Sequence, residues 1–449
     1  GIKVDTTYTP EIVPVTPTAT PAETEDIQGA TQTGKPEFKG GTVTVDGVEK
    51  TVAINENVPA TFDDGSTTKT VDGVGTYTVA ADGTVTFVPE KTFIGTAPAV
   101  TVVREDMNGT KASATYTPTV TPVTPTATPA ESTGVQGATQ TGKPEFTAGN
   151  SRVPMNDDVA ATFDDGSTTK TVDGVGTYTV AADGTVTFVP DPSFTGTAPA
   201  VTVVREDKNG SKASATYTPT VNPVTLTPTN KVSEDIQNVP QTETPTFALS
   251  DDETAQITSK KLIDPATGQP TDETTVTVAG EGTYTIDPTT GAVTFTPEKD
   301  FVGTATGVKV QATATITNAD GKTSTITSDA SYTPTVVAAV PTANPATSKD
   351  IQGATQTGTP TFAGTTVQVN GQDKAITIKD NSYTLLDNDG NEVTSTPAYA
   401  ADGTTEIGTY SIDPATGQVT FTPTDKSYTG KVTPVKVQAE SSNGIKVDT

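Results

Sequence analysis

The chain has 449 residues and carries 27 Lys and Arg against 54 Asp and Glu, for a net charge of −27. A surface this acidic repels nucleic acid and anionic membrane. The complete lack of His, Cys and Trp removes imidazole bases, thiolate nucleophiles, disulfides and almost every zinc or copper site, so the chain reads as a non-enzyme that needs no cofactor.

In chain order, residues 1–12 come first, and their opening GIKVDT returns at Gly444 to Thr449. They read as the tail strand of a preceding repeat, and the chain as a window on a longer array. The unit that follows, 13–120, belongs to a chain with a low hydrophobic share of 32%, which taken alone suggests disorder. Spacing argues otherwise. Between Gly75 and Pro89, Tyr77, Val79, Val85 and Phe87 alternate with Thr76, Thr78, Thr84 and Thr86, the period of two expected of a strand with one face buried. Asp82-Gly83 lies between the two runs and supplies the positive φ angles of a tight hairpin turn. A second hairpin runs from Val100 to Tyr116 around Asn108-Gly109, with Ala112, Ala114 and Tyr116 on one face.

This unit then recurs. The segment Gly75 to Ala97 returns as Gly176 to Ala198, as Gly282 to Ala305 and, more loosely, as Gly408 to Lys431. Residues 60–89 and 161–190 are identical, the mark of a recent duplication. The tyrosines of a recurring Tyr-Thr-Pro signal, Tyr8, Tyr116, Tyr217 and Tyr332, are 108, 101 and 115 residues apart. Such periods exceed the roughly 20 to 50 residues of a solenoid repeat and match a small domain. The expected domains are 13–120, 121–221, 222–336 and 337–449, the last lacking its final strand.

Repeat 2 copies the second hairpin around Asn209-Gly210, repeat 3 stretches it around Asn318, and repeat 4 ends in it at Asn443-Gly444. Repeats 3 and 4 replace Asp-Gly in the first hairpin by Asp-Pro-Thr-Thr-Gly and Asp-Pro-Ala-Thr-Gly. No segment sustains an apolar period of 3.6. The chain is therefore predicted to be all-β, with tandem immunoglobulin-like β-sandwich domains arranged end to end as a rod. Expected core residues are Phe38, Tyr77, Val79, Val85, Phe87, Phe93 and Tyr116 in repeat 1, and Phe146, Tyr178, Val180, Val186, Phe188, Phe194 and Tyr217 in repeat 2. Repeat 3 contributes Phe247, Tyr284, Phe295, Phe301 and Tyr332, and repeat 4 Phe362, Tyr410 and Phe421.

Proline-rich stretches from Val120, Val221 and Val336 separate the units. Spaced prolines disfavour helix and central strand, leaving polyproline-type or edge-strand backbone that acts as a short stiff spacer. From each Tyr-Thr-Pro tyrosine to the next Gln-Thr pair the step is always 24 residues, from Tyr8 to Gln32 and from Tyr332 to Gln356 alike. A floppy linker has no reason to keep such a step.

The acidic clusters are the candidate metal sites. Asp387-Asn388-Asp389-Gly390-Asn391 resembles part of a calcium loop, yet Glu392 follows in place of the full twelve-residue pattern, so a hairpin turn is the first reading and calcium at Asp387 and Asp389 the second. Asp63-Asp64-Gly65 and Asp164-Asp165-Gly166 read as turns on the same grounds. A Lys–Asn isopeptide staple needs a trio repeated in every unit, but Lys35 and Lys143 give way to Thr244 and Thr359. The sequons at Asn108 and Asn209 coincide with hairpin turns, and turn formation accounts for them.

The stretch PVTPTATPAESTGVQGATQTGKPEF from Pro122, together with GTYTIDPTTGAVTFTPEKDFVGTA from Gly282 and the closing TYTP, resembles the repeats of the CshA-type fibrillar surface adhesins of oral streptococci over essentially the whole chain. Gln-Thr-Glu at Gln241 departs from the Gln-Thr-Gly pattern. The resemblance implies an extracellular, wall-anchored location on a Gram-positive bacterium and a stalk that carries a separate adhesive tip outward, in cell adhesion and biofilm formation. Implied partners are neighbouring repeats and, through the tip, host or microbial ligands, with no nucleic acid and no membrane insertion.

Two other functions compete with that stalk. Repeat faces could themselves bind host matrix protein, glycan or other microbes, for which the variable segments 251–273 and 368–405 are the candidates. A calcium-stiffened extender would need paired acids at each junction, and the junctions are nearly free of them.

Overall fold

The alternation of Thr with apolar residues becomes strands throughout. The computed structural model describes Gly1 to Thr449, and it contains strands, turns and no helix. The strands of repeat 1 are β1 (Thr18–Thr20), β2 (Ala22–Ile27), β3 (Gln32–Gly34), β4 (Glu37–Lys39), β5 (Gly41–Val45), β6 (Val48–Val52), β7 (Thr61–Phe62), β8 (Thr68–Val71), β9 (Gly75–Val79), β10 (Val85–Pro89), β11 (Gly95–Thr96), β12 (Val100–Glu105) and β13 (Lys111–Thr121).

One sheet has the order β3-β10-β9-β8, and the other runs β11-β13-β12-β7 with β2 added along β13. The first half of β13 pairs antiparallel with β12. From Tyr116 to Thr121 it pairs in parallel with Ala22 to Ile27, so the second and last strands of the unit lie side by side. Each repeat is an immunoglobulin-like sandwich of two sheets.

Cross-strand pairing places Tyr77 opposite Phe87, ring centroids 4.6 Å apart. These rings, with Phe62, Val85, Val102, Tyr116 and Val120, form the core between the sheets. In the β9–β10 turn only Gly83 takes a positive φ, +90°, where the sequence suggested more than one such residue. Asp82 acts through its carboxylate instead, Oδ1 accepting from Thr84 N at 3.0 Å. Both residues of the β5–β6 turn, Asp46 and Gly47, do have positive φ, at 52° and 79°.

Repeats 2 and 3 repeat the plan. Strands 140–142, 186–190, 176–180 and 169–172 form one sheet of repeat 2, and 130–135 pairs in parallel with 217–222 in the other. In repeat 3 the second sheet is enlarged by Ala255–Ile263, Val308–Thr317 and Thr323–Val337, and a bulge between Ile257 and Ser259 absorbs the added length. Repeat 4 has the sheet 356–358, 419–423, 406–412 and 395–399, and a smaller one built on 384–386, 392–393, 436–440 and 446–448.

Tyr77, Val79, Val85, Phe87, Tyr116, Tyr178, Val180, Val186, Phe188, Tyr217, Tyr284, Phe295 and Tyr332 are buried. Phe38, Phe93, Phe146, Phe194, Phe247, Phe301, Phe362 and Tyr410 are partly buried and pack against the core clusters from their rims, and Phe421 lies 5.5 Å from Tyr410.

The first strand begins at Thr18. One expectation is overturned. The proline-rich stretches are largely part of the sandwiches and not spacers between them. Thr126–Thr128 pairs with Glu145–Thr147, and Ala130–Val135 joins the main sheet of repeat 2, because Pro125 and Pro129 fall outside the paired residues.

By compactness the molecule divides into two units. One is Gly1–Pro223 with Asn318–Lys322, and the other is Val224–Thr317 with Thr323–Thr449.

Candidate functional site: the junction between consecutive repeats

Each sandwich closes on a small polar knot. In repeat 1 the Thr24 hydroxyl lies 2.7 Å from the Tyr116 hydroxyl and donates to Gln32 Oε1 at 2.6 Å, while Gln32 Nε2 donates to Thr119 O at 2.9 Å. Ser132, Gln140 and Tyr217 repeat it in the second unit, and Ser233, Gln241 and Tyr332 in the third. The knot ties the first strands of a unit to its last strand. Both ends of the 24-residue step are thereby anchored, each in its own sandwich.

Parallel pairing of β2 with β13 brings Gln28 to the end of the sandwich from which the chain leaves. There Gln28 N donates to Thr121 O at 2.8 Å, its Nε2 to Lys91 O at 2.9 Å, and its Oε1 accepts from Val123 N at 3.2 Å. Its own carbonyl takes a bond from repeat 2, from Asn209 Nδ2 at 2.8 Å. Gly29, with φ +80°, makes room for this, since a Cβ at that position would stand 2.5 Å from Asn209 Oδ1. Beside it Arg152 of repeat 2 grips Asp26 with both guanidinium ends, Nη1 to Oδ2 at 3.1 Å.

The Arg152 hydrogen bonds, helped by Ile27 N, hold the Asp26 carboxyl below its ordinary value. A lowered folded-state value means that this pair stabilises the junction above the ordinary carboxylate range of about 4 and is lost as the pH falls through the lowered value.

The same plan joins repeats 3 and 4 within the second unit. Asn443 Nδ2 donates to Ala339 O at 3.0 Å and reaches Gln237 O at 3.4 Å, and Asn238, at the position of Gly29, donates to Asn443 O at 3.2 Å. Lys374 pairs with Asp235, the counterpart of Asp26. Asn370, at φ +50° in a hairpin turn, meets Glu234 through its backbone N and its side chain. Ile236, Ala339, Val369 and Ile376 form an apolar cluster under these contacts.

In repeat 3 the side chain that reaches out from this hairpin is Asn318, two residues earlier in the turn. Its Nδ2 donates to Pro190 O at 2.8 Å within the first compact unit.

Asn209 is therefore a joint residue as well as a turn former. Asn108, in the same Asn-Gly turn, is exposed, whereas Asn209 and Asn443 are buried by the neighbouring repeat. A signal was present in the recurrence of Asn at 108, 209 and 443, since a turn alone accepts Asp equally well. Asn209→Ala would leave the buried Gln28 carbonyl unsatisfied at a cost of about 1–3 kcal/mol. Limited proteolysis between residues 121 and 125 is expected to speed up roughly fivefold or more, since about 1 kcal/mol is a factor of that size. An unchanged rate would remove Asn209 from the junction.

The acidic clusters serve their own turns. Asp387 Oδ1 accepts from Asp389 N at 2.9 Å and Asn391 N at 2.8 Å. Lys69 pairs with Asp63 and Asp64, and Lys170 with Asp164 and Asp165. The variable segment 368–405 contributes its first residues to the junction through Asn370 and Lys374.

Comparison with known proteins gives one sequence family. The family model described as the surface adhesin CshA repetitive domain matches residues 14–120, 122–221, 223–336 and 338–449. No curated protein matches the chain. Among solved structures, protocadherin gamma B2 extracellular cadherin domains 3–6 are 10% identical, with 96% of each chain covered and a TM-score of 0.28. Mouse cadherin-23 EC22–24 is 12% identical over 72% of this chain and all of that one, with a TM-score of 0.28. The I9–I11 tandem from titin is 11% identical over 72% of this chain and 97% of that one, at 0.24.

Proposed function

The chain belongs to the surface adhesin CshA repetitive-domain family, matched four times in succession, and on that premise we propose that it is the structural stalk of a bacterial cell-surface fibrillar adhesin. Its work is to carry a separate adhesive tip away from a Gram-positive cell wall. The domains are placed at 13–120, 121–221, 222–336 and 337–449, with 1–12 the tail of a preceding repeat.

One observation carries this reading. One kind of side-chain contact recurs where one repeat meets the next, between repeats 1 and 2 and between repeats 3 and 4. Asn209 on the Gln28 carbonyl with Arg152 on Asp26, and Asn443 on the Gln237 carbonyl with Lys374 on Asp235, are two versions of one joint. A fixed joint converts copy number into length, which is what a stalk needs. Catalysis has no place in this reading, and the recurring glutamines Gln32, Gln140 and Gln241 are bonded to hydroxyl and backbone partners inside the sandwiches.

Small-angle scattering tests it. Four domains of roughly 40 Å, the length of strands of about ten residues plus end loops, should give a maximum dimension on the order of 160 Å or more. The dimension of a compact globule, or the broad distribution of freely jointed beads, would leave only a flexible tether.

A further inference from the structure

Four Asn-Gly pairs occur in the chain, Asn108-Gly109, Asn209-Gly210, Asn370-Gly371 and Asn443-Gly444. Three of them stand at the two joints described above. There the asparagine amide donates across the joint, Asn209 to the Gln28 carbonyl, Asn370 to that of Glu234 and Asn443 to that of Gln237.

The residue pair that makes these bonds is also the one most prone to destroy them. Glycine has no side chain to keep its backbone nitrogen away from the asparagine Cγ before it. Once that nitrogen has given its proton to base it attacks Cγ, the Cγ–Nδ2 bond breaks, and the amide nitrogen takes up a proton and leaves as ammonia. Water then opens the cyclic imide at one carbonyl or the other, giving aspartate or isoaspartate. The net change consumes one water, releases one ammonia and turns a hydrogen-bond donor into a carboxylate.

A closed joint opposes each part of this reaction. Between repeats 1 and 2 the nucleophile is occupied, Gly210 N donating to Asp207 O at 2.9 Å, and the leaving amide is held on the Gln28 carbonyl. Asn209 itself is 9% exposed. Between repeats 3 and 4, Gly444 N donates to Ser441 O at 2.9 Å, Asn443 Nδ2 is held by Ala339 O at 3.0 Å, and Asn443 is 8% exposed. Reaction at either site therefore waits for its joint to open.

The product cannot close the joint again. A carboxylate at 209 has no hydrogen to give the Gln28 carbonyl, and it adds a negative charge beside the Asp26 that Arg152 neutralises. At 443 it faces the Gln237 and Ala339 carbonyls, and at 370 it stands against Glu234.

We propose that the joints are one-way latches: an opened joint deamidates at its Asn-Gly pair, and the acid so formed keeps it open. An array of such joints is stiff when new and becomes hinged with age. The latch is a property of the two joints and holds whether or not the array is a stalk.

The full chain is to be kept in warm, mildly alkaline buffer while mass spectrometry of its proteolytic peptides follows each asparagine. Asn209 and Asn443 are expected to convert roughly tenfold or more slowly than the same pairs in synthetic peptides of residues 204–214 and 438–448, tenfold corresponding to an opening cost of only about 1.4 kcal/mol. Gly29→Ala, whose Cβ would stand 2.5 Å from Asn209 Oδ1, should raise Asn209 toward its peptide rate and leave Asn443 unchanged in its own joint. Arg152→Ala, which removes one partner of an exposed ion pair, should move Asn209 the same way by less. Asn209→Asp should make residues 121–125 roughly fivefold or more easier to cleave by limited proteolysis. An Asn209 that converts at the peptide rate in the parent chain, or that ignores both Gly29→Ala and Arg152→Ala, overturns the gating by the joint. An Asn209→Asp chain cut no faster than the parent overturns the latch.

Discussion

Phe87→Ala is expected to cost repeat 1 about 3–5 kcal/mol, a large part of the stability of a domain this small. Phe87 is fully buried and stands directly across from Tyr77, whose hydroxyl donates to Pro98 O at 2.7 Å. Truncation removes the ring's transfer free energy, leaves a cavity that the flanking sheets cannot close, and frees Tyr77 from its aromatic partner. Differential scanning calorimetry reads the effect as a low-temperature shift of one transition, because Phe188 and Phe295 hold the equivalent place in cores of their own. A loss below about 0.5 kcal/mol, the size of an ordinary surface substitution, would show that this ring does not carry the core.

Gln140→Ala should be the next most damaging change in the chain. Gln140 is 5% exposed and joins three strands of repeat 2, accepting from Ser132 at 2.6 Å and donating to Thr220 O at 3.0 Å. Removing it strands a buried carbonyl and loosens the two hydroxyls at Ser132 and Tyr217, so a loss of about 2–4 kcal/mol is expected at about 1–3 per orphaned group. Tyr217→Phe, which takes away one hydroxyl and keeps the ring, should cost only about 1 kcal/mol. Urea unfolding of the two variants separates the cases, and equal losses would mean that the Tyr217 hydroxyl carries as much of the knot as the Gln140 amide does.

Much of the sandwich was legible along the chain because a period of two is a local property. Thr76 to Val79 and Thr84 to Phe87 declare their buried face without any knowledge of the partner sheet. The duplication of residues 60–89 and 161–190 likewise declares that one solution is used more than once.

The role of Gln28, Gln136 and Gln237 was not legible. These residues lie in the loop after the second strand, and only the parallel pairing of that strand with the last one carries them to the end of the sandwich. The proline-rich stretches misled for a related reason. Proline excludes a central ladder position, but Pro125 and Pro129 sit where no ladder bond is required of them, so the residues between and after them are free to pair.

Asn108 and Asn209 make the division plain. Their local sequences, Asp-Met-Asn-Gly and Asp-Lys-Asn-Gly, dictate the same turn, and both turns form with Asp106 and Asp207 accepting from the backbone. What differs is the neighbour. Asn108 faces outward, while Asn209 lies against the Gln28 carbonyl 181 residues away in the chain. The sequence by itself determined strand period, turn chemistry and copy number, because each depends on residues within a few positions of one another. Only the tertiary structure decided which turn becomes a joint, because that depends on which surface the packed sandwiches bring opposite it.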